Sequence, residues 1–584
     1  MILDINLGDA NGLVPLHFAA KGNFIIADEL LKSDGAIINA IDQEQLTPLH
    51  VACMYGAHPI VELLLQKGAD VKMVDAQYNT PLHVAAQAGN HTVVELLLSF
   101  AKKKFSTNEV NELLGCCNYE YSQPLHLAVN SGSFQSVLLL TDSGCDVSQP
   151  RCLGHIPLHV AAVIGSVEIA KLLLSRDACA IDIRADNGDT ALHIAARGGK
   201  LHMCQFLVKS NCQIDVKNAE GFTALLVASL SGHCSICELL LECGSDINAV
   251  DNADRTVLFL AVENNRIAVI NELRKHKDFS KLLERGDRFN NTPLHCAARH
   301  GYSDIASALL ALEAYADSKN DDGMAPIHFA SKRGHTGIIR LLTDHQSNIV
   351  NDEDEDSNTP LHLAAINGQD AVVRQLLNAG APVSKRNSHL LTPLDCAAQN
   401  GWPRCVRDLL DRGVLVDPVD KAKTTPLHLA CESGHVNIVQ LLLQRGASPG
   451  LQDRSKLNAL EIAIRNRQKD VCKVIIKQPD YRLSLENRHF VGRSYITPLR
   501  SLIMNIPEVA EMVFDRCTTV SDVAVDDANF VVLFDYSFIE DSYHMPELID
   551  ACPWKTDSWL LKPESKPYSS DRDRLKADHP LMLM

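Results

Sequence analysis

A four-residue signal recurs along this chain at nearly constant intervals. It reads Val14-Pro15-Leu16-His17, then Thr47-Pro48-Leu49-His50, then Thr80-Pro81-Leu82-His83, each 33 residues after the last. Further copies end at His126, His159, His193, His295, His328, His362 and His428, and Thr292-Pro293-Leu294-His295, Thr359-Pro360-Leu361-His362 and Thr425-Pro426-Leu427-His428 keep all four positions. Degenerate copies fill the gaps at Thr223–Leu226, Thr256–Phe259, Thr392–Asp395 and Asn458–Glu461. A fixed period of this length means a stack of small supersecondary units. None of them buries its apolar face alone, so each depends on its neighbours.

The residues say what the unit is. Thr80 is suited to cap a helix, and Pro81 fits the first turn, where a missing N–H costs nothing. Ala85 and Ala86 let helices approach closely, Gly89 supplies a left-handed stop, and Val93 to Leu98 starts a second helix apolar on one side. Gly68-Ala69-Asp70 ends the second helix of the preceding unit, and Val71 to Asn79 forms a hairpin-like finger leading to Thr80. This pattern resembles the ankyrin repeat. The fold expected is an all-α ankyrin-repeat solenoid of about 14–15 repeats, the tetrapeptide helices lining its concave side, with a short mixed C-terminal tail.

Composition agrees with one large array among the 584 residues. The net charge of −17 argues against nucleic acid as a general partner, since phosphate binding needs a basic surface. The 18 cysteines are scattered, Cys53, Cys296, Cys396, Cys431 and Cys472 among them inside expected helices; a reducing compartment fits better than a disulfide framework. Met1-Ile2-Leu3-Asp4 does not open a secretory signal, and no apolar run reaches the length of a membrane span.

The irregularities divide the chain. Residues 1–279 read as eight units with a surface insertion at 101–119, residues 280–516 as six or seven units that decay after Asn458, and residues 517–584 as a linker-like tail. The eighth unit has Val257, Phe259 and Asn264 where Pro, His and Gly are expected, which marks a weak join. In the tail, Phe530–Phe538 reads as a strand with an open edge.

Candidate chemistry is sparse. The histidines of the tetrapeptide, together with His91, His233, His335 and His435 after the closing Gly, read as architectural, because ring nitrogens satisfy loop backbone groups. Cys234-Ser235-Ile236-Cys237 has no matching pair for zinc. The run Asp352–Asp356 lacks the spacing of a calcium loop and reads as a solvated finger tip, and Lys102-Lys103-Lys104 as a solvated loop. No phosphate-binding glycine loop and no nucleophile elbow occurs. The expectation is a non-enzyme with no cofactor and no metal, working through other proteins at its concave face and fingers.

Three stretches carry a more specific resemblance. Phe279 to Asp287 leading into Asn291–Ala298, the exit Ile496–Leu499 followed by Phe534–Phe538, and Asp578-His579-Pro580-Leu581 are similar to the cytosolic region of TRPA channels, the ankyrin-rich branch of the transient receptor potential cation channels. The resemblance implies a sensing, gating and tetramer-scaffolding arm on the cytoplasmic side of the plasma membrane, ending before six membrane helices; the alternative is a free-standing cytoplasmic scaffold. It also implies reactive thiols between repeats and membrane, for which this sequence offers Cys517 and Cys552. Of these, Cys517 beside Arg516 is the better placed if it is exposed.

Overall fold

The computed structural model describes residues 5–33, 35–487, 489–491, 494–520 and 532–534. The chain is an α-helical repeat solenoid. Among the described residues, fifteen helix pairs run from Pro15–Ala20 with Phe24–Lys32 to Pro498–Asn505 with Pro507–Cys517, and three further α-helices are added to them. The chain forms two compact units, residues 1–293 and 294–584. The boundary expected at 279/280 lies inside the first unit, where the helix Phe279–Leu283 buries Phe279, Leu282 and Leu283.

The unit at Thr80 shows why the sequence folds this way. Thr80 is extended, its hydroxyl accepts from the His83 N–H, and Pro81 opens the helix Pro81–Gln87. Gly89 ends that turn at φ +69°. Ala85 and Ala86 are solvent-free, so the next first helix, Pro124–Asn130, comes close. The second helix, His91–Lys104, buries Val93, Val94, Leu97 and Leu98. Each such side chain contributes about 1.5–3 kcal/mol by leaving water, and truncating Leu97 to Ala would cost about 2–5 kcal/mol.

The insertion is helical. His91–Lys104 continues past the usual length, and a further helix, Thr107–Gly115, follows after a cap in which Ser106 and Glu109 satisfy each other's N–H groups. Lys102 to Lys104 therefore sit on the last turn of a helix and not in a solvated loop. Lys102 Nζ donates to Ser143 Oγ at 3.0 Å, and Lys104 lies over the Phe100 ring at 5.1 Å. Ala101, Val110, Leu113 and Leu114 are buried, which holds the insertion against the repeats.

In the second unit the run Asp352–Asp356 does occupy a finger. Asp354 Oδ1 accepts from the Asn358 N–H at 2.7 Å, and Lys385 pairs with Glu353. Toward the end, short strands pair as His489–Val491 with Ser494–Ile496 and as Thr518–Val520 with Val532–Phe534. The strand expected at 530–538 is thus present at 532–534 and paired along one edge. Trp554, Trp559, Cys552 and Asp578–Leu581 lie outside the described residues.

Candidate interaction surface

Most of the tetrapeptide histidines engage both ring nitrogens, while His126 accepts from the Gln123 N–H through Nδ1 and buries Nε2 without a partner. In His50 the Nδ1 atom accepts from the Thr47 N–H at 3.2 Å and lies 2.8 Å from the Thr47 hydroxyl. The other nitrogen, Nε2, then carries the proton and donates to the Asn79 carbonyl at 3.0 Å, 29 residues on, in the next finger. The arrangement repeats at His83 (Ser122), His193 (Phe222), His295 (Met324), His362 (Leu391) and His428 (Leu451). Burial disfavours the charged imidazolium and pushes His83, His159 and His362 down to about 4. These residues tie each unit to the next, with Thr47, Pro48, Thr80, Pro81, Pro293, Thr359, Pro360, Thr425 and Pro426 shaping the helix entries beneath them.

A second set ties each unit backwards. His233, His335 and His435 direct Nε2 to the carbonyls of Arg197, Arg299 and Gln399, 36 residues earlier, at 3.1–3.2 Å. Trp402 does the same through its indole N–H to Ile366 at 2.9 Å. Each ring lies on a glycine of the preceding unit, at Gly199, Gly301, Gly401 and Gly368.

Three degenerate units depart from this in different ways. Asp395 stands in for histidine, its Oδ2 accepting from the Thr392 N–H and hydroxyl, and Glu461 accepts from the Asn458 N–H. Phe259 is buried in the eighth unit, and its ring has no N–H to send into the next finger. The left-handed residue there is Asn265 at φ +57°, and not Asn264, which caps the Leu260 carbonyl through its side chain. Arg266 takes the place of the backward-reaching ring, donating to the Leu230 carbonyl at 3.2 Å. The eighth unit has therefore lost its forward bond and kept its backward one.

Of the thiols proposed for reactivity, Cys517 is buried at 3% exposure, which removes the access that its role requires. Sequence reasoning placed it at a helix end but could not see Tyr481 and Arg516 packing around that end. Cys117, Cys152, Cys179 and Cys243 are the exposed ones among the described residues. Cys234 and Cys237 lie in the helix Cys234–Glu242. Among the described residues, no group of three His, Cys, Asp or Glu is placed to hold a metal ion, and no helix is long and apolar enough to cross a membrane.

What remains free for recognition is the row of finger tips. Successive tips are joined by backbone bonds: Ala76 N–H to Glu44 at 2.8 Å, Tyr119 to Gln77 at 2.8 Å, Cys152 to Glu120 at 3.1 Å and Asp186 to Leu153 at 3.1 Å. Most tips are braced from below by an Asx turn, as where Asp75 Oδ1 accepts from Gln77 and Asn79, whereas the fingers that begin at Arg151 and Ala185 close through backbone bonds to His155 and Asp189. The side chains on this rigid row are mostly exposed, and sequence patterning missed them because they vary while the frame repeats.

The ankyrin-repeat family model matches residues 1–75, 68–151, 101–185, 158–251, 246–320, 308–387 and 394–486. A Caenorhabditis elegans homolog of transient receptor potential cation channel subfamily A member 1 is 26% identical over 316 residues, covering 51% of this chain and 26% of that protein. Human ankyrin repeat domain-containing protein 37 is 40% identical over 84 residues, 14% of this chain and 52% of its own length. Palmitoyltransferase ZDHHC17 of Danio rerio is 34% identical over 218 residues, 37% of this chain and 35% of its own length. The matches thus span between a quarter and about half the length of these relatives. With the helix pairs, capped entries and fingers in place from the first repeat to the last, the chain belongs to the ankyrin-repeat family.

Proposed function

We propose that this chain is the non-catalytic cytosolic arm of a TRPA-type cation channel, an interaction array that senses and scaffolds on the cytoplasmic side of the membrane. The observation that carries this reading is the extent of the match: similarity to the worm channel homolog runs over 51% of the chain, and human transient receptor potential cation channel subfamily A member 1 is similar over 137 residues at 28% identity. On this reading four copies assemble around a pore that the rest of the polypeptide supplies. The inserted helix Thr107–Gly115 and the helix Phe279–Leu283 then mark the units where the array departs from a plain repeat.

A second reading, a free-standing scaffold for protein partners, is favoured by the 40% identity to ankyrin repeat domain-containing protein 37 over 84 residues. Sequencing of full-length transcripts separates the two. Six apolar spans encoded after Met584 are expected for the channel arm. A stop codon at that point in every transcript contradicts it.

A further inference from the structure

Large apolar side chains are concentrated on three neighbouring finger tips of the first unit. Tyr78 is 60% exposed, Tyr119 76%, Tyr121 68% and Leu153 66%. The three tips that follow, Asp186-Asn187-Gly188, Ala219-Glu220-Gly221 and Asn252-Ala253-Asp254, carry no large apolar residue, and the next, Arg288-Phe289-Asn290, carries the single Phe289 beside an arginine. Exposed tyrosines held on a rigid frame are the side chains that dominate protein interfaces, because they offer wide contact area for little lost rotamer freedom.

The backbone adds a second observation. Tyr78 and Tyr121 have φ of +62° and +57°, at a finger position that Gly188, Gly221 and Gly323 fill in some units and that Gln45, Asp254, Ser357, Leu390, Lys423 and Lys456 fill at positive φ in others. A side chain in the left-handed region costs roughly 1 kcal/mol or more relative to glycine. The position takes many kinds of side chain, so nothing in the backbone asks for tyrosine there, and what sets these two tips apart is the exposed ring itself.

The charge around the patch selects the ligand. Glu44, Glu120, Asp186, Glu220 and Asp254 project from these tips and their neighbours, and no Lys or Arg stands on the tip residues from Gln43–Gln45 to Asn252–Asp254. Two later fingers of the second unit reverse the sign, with Lys421, Lys423, Arg454 and Lys456 exposed, whereas its earlier tips at Asp321-Asp322 and Glu355-Asp356 are acidic. Tyrosine faces flanked by carboxylates attract ammonium and guanidinium groups through the ring quadrupole and through charge.

We propose that the finger tips of the third to fifth repeats, Tyr78, Tyr119, Tyr121 and Leu153 with Glu44, Glu120 and Asp186 around them, are the docking edge for an extended Lys/Arg-bearing peptide segment of a partner protein. The apolar side chains of the segment pack on the tyrosines, and its basic side chains pair with the carboxylates. Because neighbouring tips are already fixed by Tyr119 N–H to Gln77 and Cys152 N–H to Glu120, the array orders nothing on binding, which favours affinity. The inference rests on the protein-interaction reading above and names its partner class.

A random twelve-residue peptide display library, panned on the full chain and sequenced, tests it. Peptides enriched on the wild-type chain should carry net positive charge with interspersed apolar residues. Synthesised singly, they should bind at least tenfold more weakly to the triple variant Tyr78→Ser/Tyr119→Ser/Tyr121→Ser, and to Glu44→Gln/Glu120→Gln/Asp186→Asn, which leaves the tyrosines in place. Both variants change exposed positions, and an unchanged melting curve establishes that they fold. Enrichment of neutral or acidic peptides overturns the proposal, and so does equal binding by the tyrosine variant, which leaves the interaction reading standing with its site elsewhere. Failure to enrich any peptide overturns both. Self-association of the wild type that the tyrosine variant loses assigns the edge to a second copy and overturns the peptide partner.

Discussion

Asp395 and Thr392 form a closed pair in which one carboxylate oxygen takes both the backbone N–H, at 2.8 Å, and the hydroxyl, at 2.7 Å. The other oxygen, Oδ1, is buried without a hydrogen-bond partner, as is the Thr424 hydroxyl in the next finger. Burial raises Asp395 from 3.8 to about 7, against the opposing pull of the Thr392 bonds and Arg386, with Asp420 adding to the rise. The unfolded chain releases this proton near pH 3.8 and the folded one near 7. Stability therefore falls as pH rises between those values, by an amount on the order of 4 kcal/mol, and is flat above. Asp395→Asn should abolish that slope and raise the denaturant midpoint of the second unit at pH 8. A lower midpoint at pH 8 would show that the charged form is the stabilising one.

The histidines pull the other way. His83, His126, His159 and His362 are each held near 4 against an ordinary 6.5, first of all by burial. A protonated ring would also turn an Nδ1–H toward the N–H of Thr80, Gln123, Ile156 or Thr359. Their stabilising contribution is complete above pH 6.5 and is lost as pH falls toward 4, at about 1 kcal/mol per pH unit for each. Three of the four lie in the first unit, so thermal scans resolved by hydrogen exchange should show that unit weakening first between pH 6.5 and 4.5. Equal weakening of both units contradicts this.

Gly368 makes the tightest of the glycine–ring contacts between successive units. It has φ +71°, and a Cβ there would overlap the ring of Trp402, whose N–H is held by Ile366. Gly368→Ala should destabilise the second unit by roughly 1–3 kcal/mol, through both strain and a displaced indole. Trp402 fluorescence should shift with it. A variant with unchanged midpoint and spectrum would mean that the indole moves aside at no cost.

Much of this architecture was legible in the sequence, and the reason is physical. The 33-residue period, the Thr-Pro entry and the closing Gly are requirements of the backbone, repeated once per unit, so they emerge without any knowledge of contacts. Lys102-Lys103-Lys104 reads as a solvated loop by its charge alone, and the helix it ends is set by Ala101, Val110, Leu113 and Leu114, whose burial depends on contacts with the repeats. The stop of the eighth unit is Asn265 and not Asn264, because it stands nine residues after Thr256, as Gly56 and Gly89 do after Thr47 and Thr80. Cys517 was misjudged because exposure depends on what packs from elsewhere in the chain. The tyrosine tips passed unnoticed since a variable residue on a repeating frame leaves no period to detect.

Thiol access follows from the same burial. Limiting iodoacetamide should modify Cys152 and Cys179, both exposed, well before Cys517 or the solvent-free Cys431. Burial also pushes Cys431 far up, which removes its thiolate. Peptide mapping that found Cys517 labelled first would return it to candidacy as the reactive thiol.

The claim that this array is the arm of a membrane channel is tested most directly on the native protein. An antiserum raised against the finger-bearing repeats, used on fractionated cells, should detect a polypeptide much larger than 64.1 kDa that stays with the membranes through high-salt and alkaline washes and is released by detergent as an assembly of several copies. A band of about 64 kDa recovered entirely in the soluble fraction would contradict the account and assign the protein to the scaffolds.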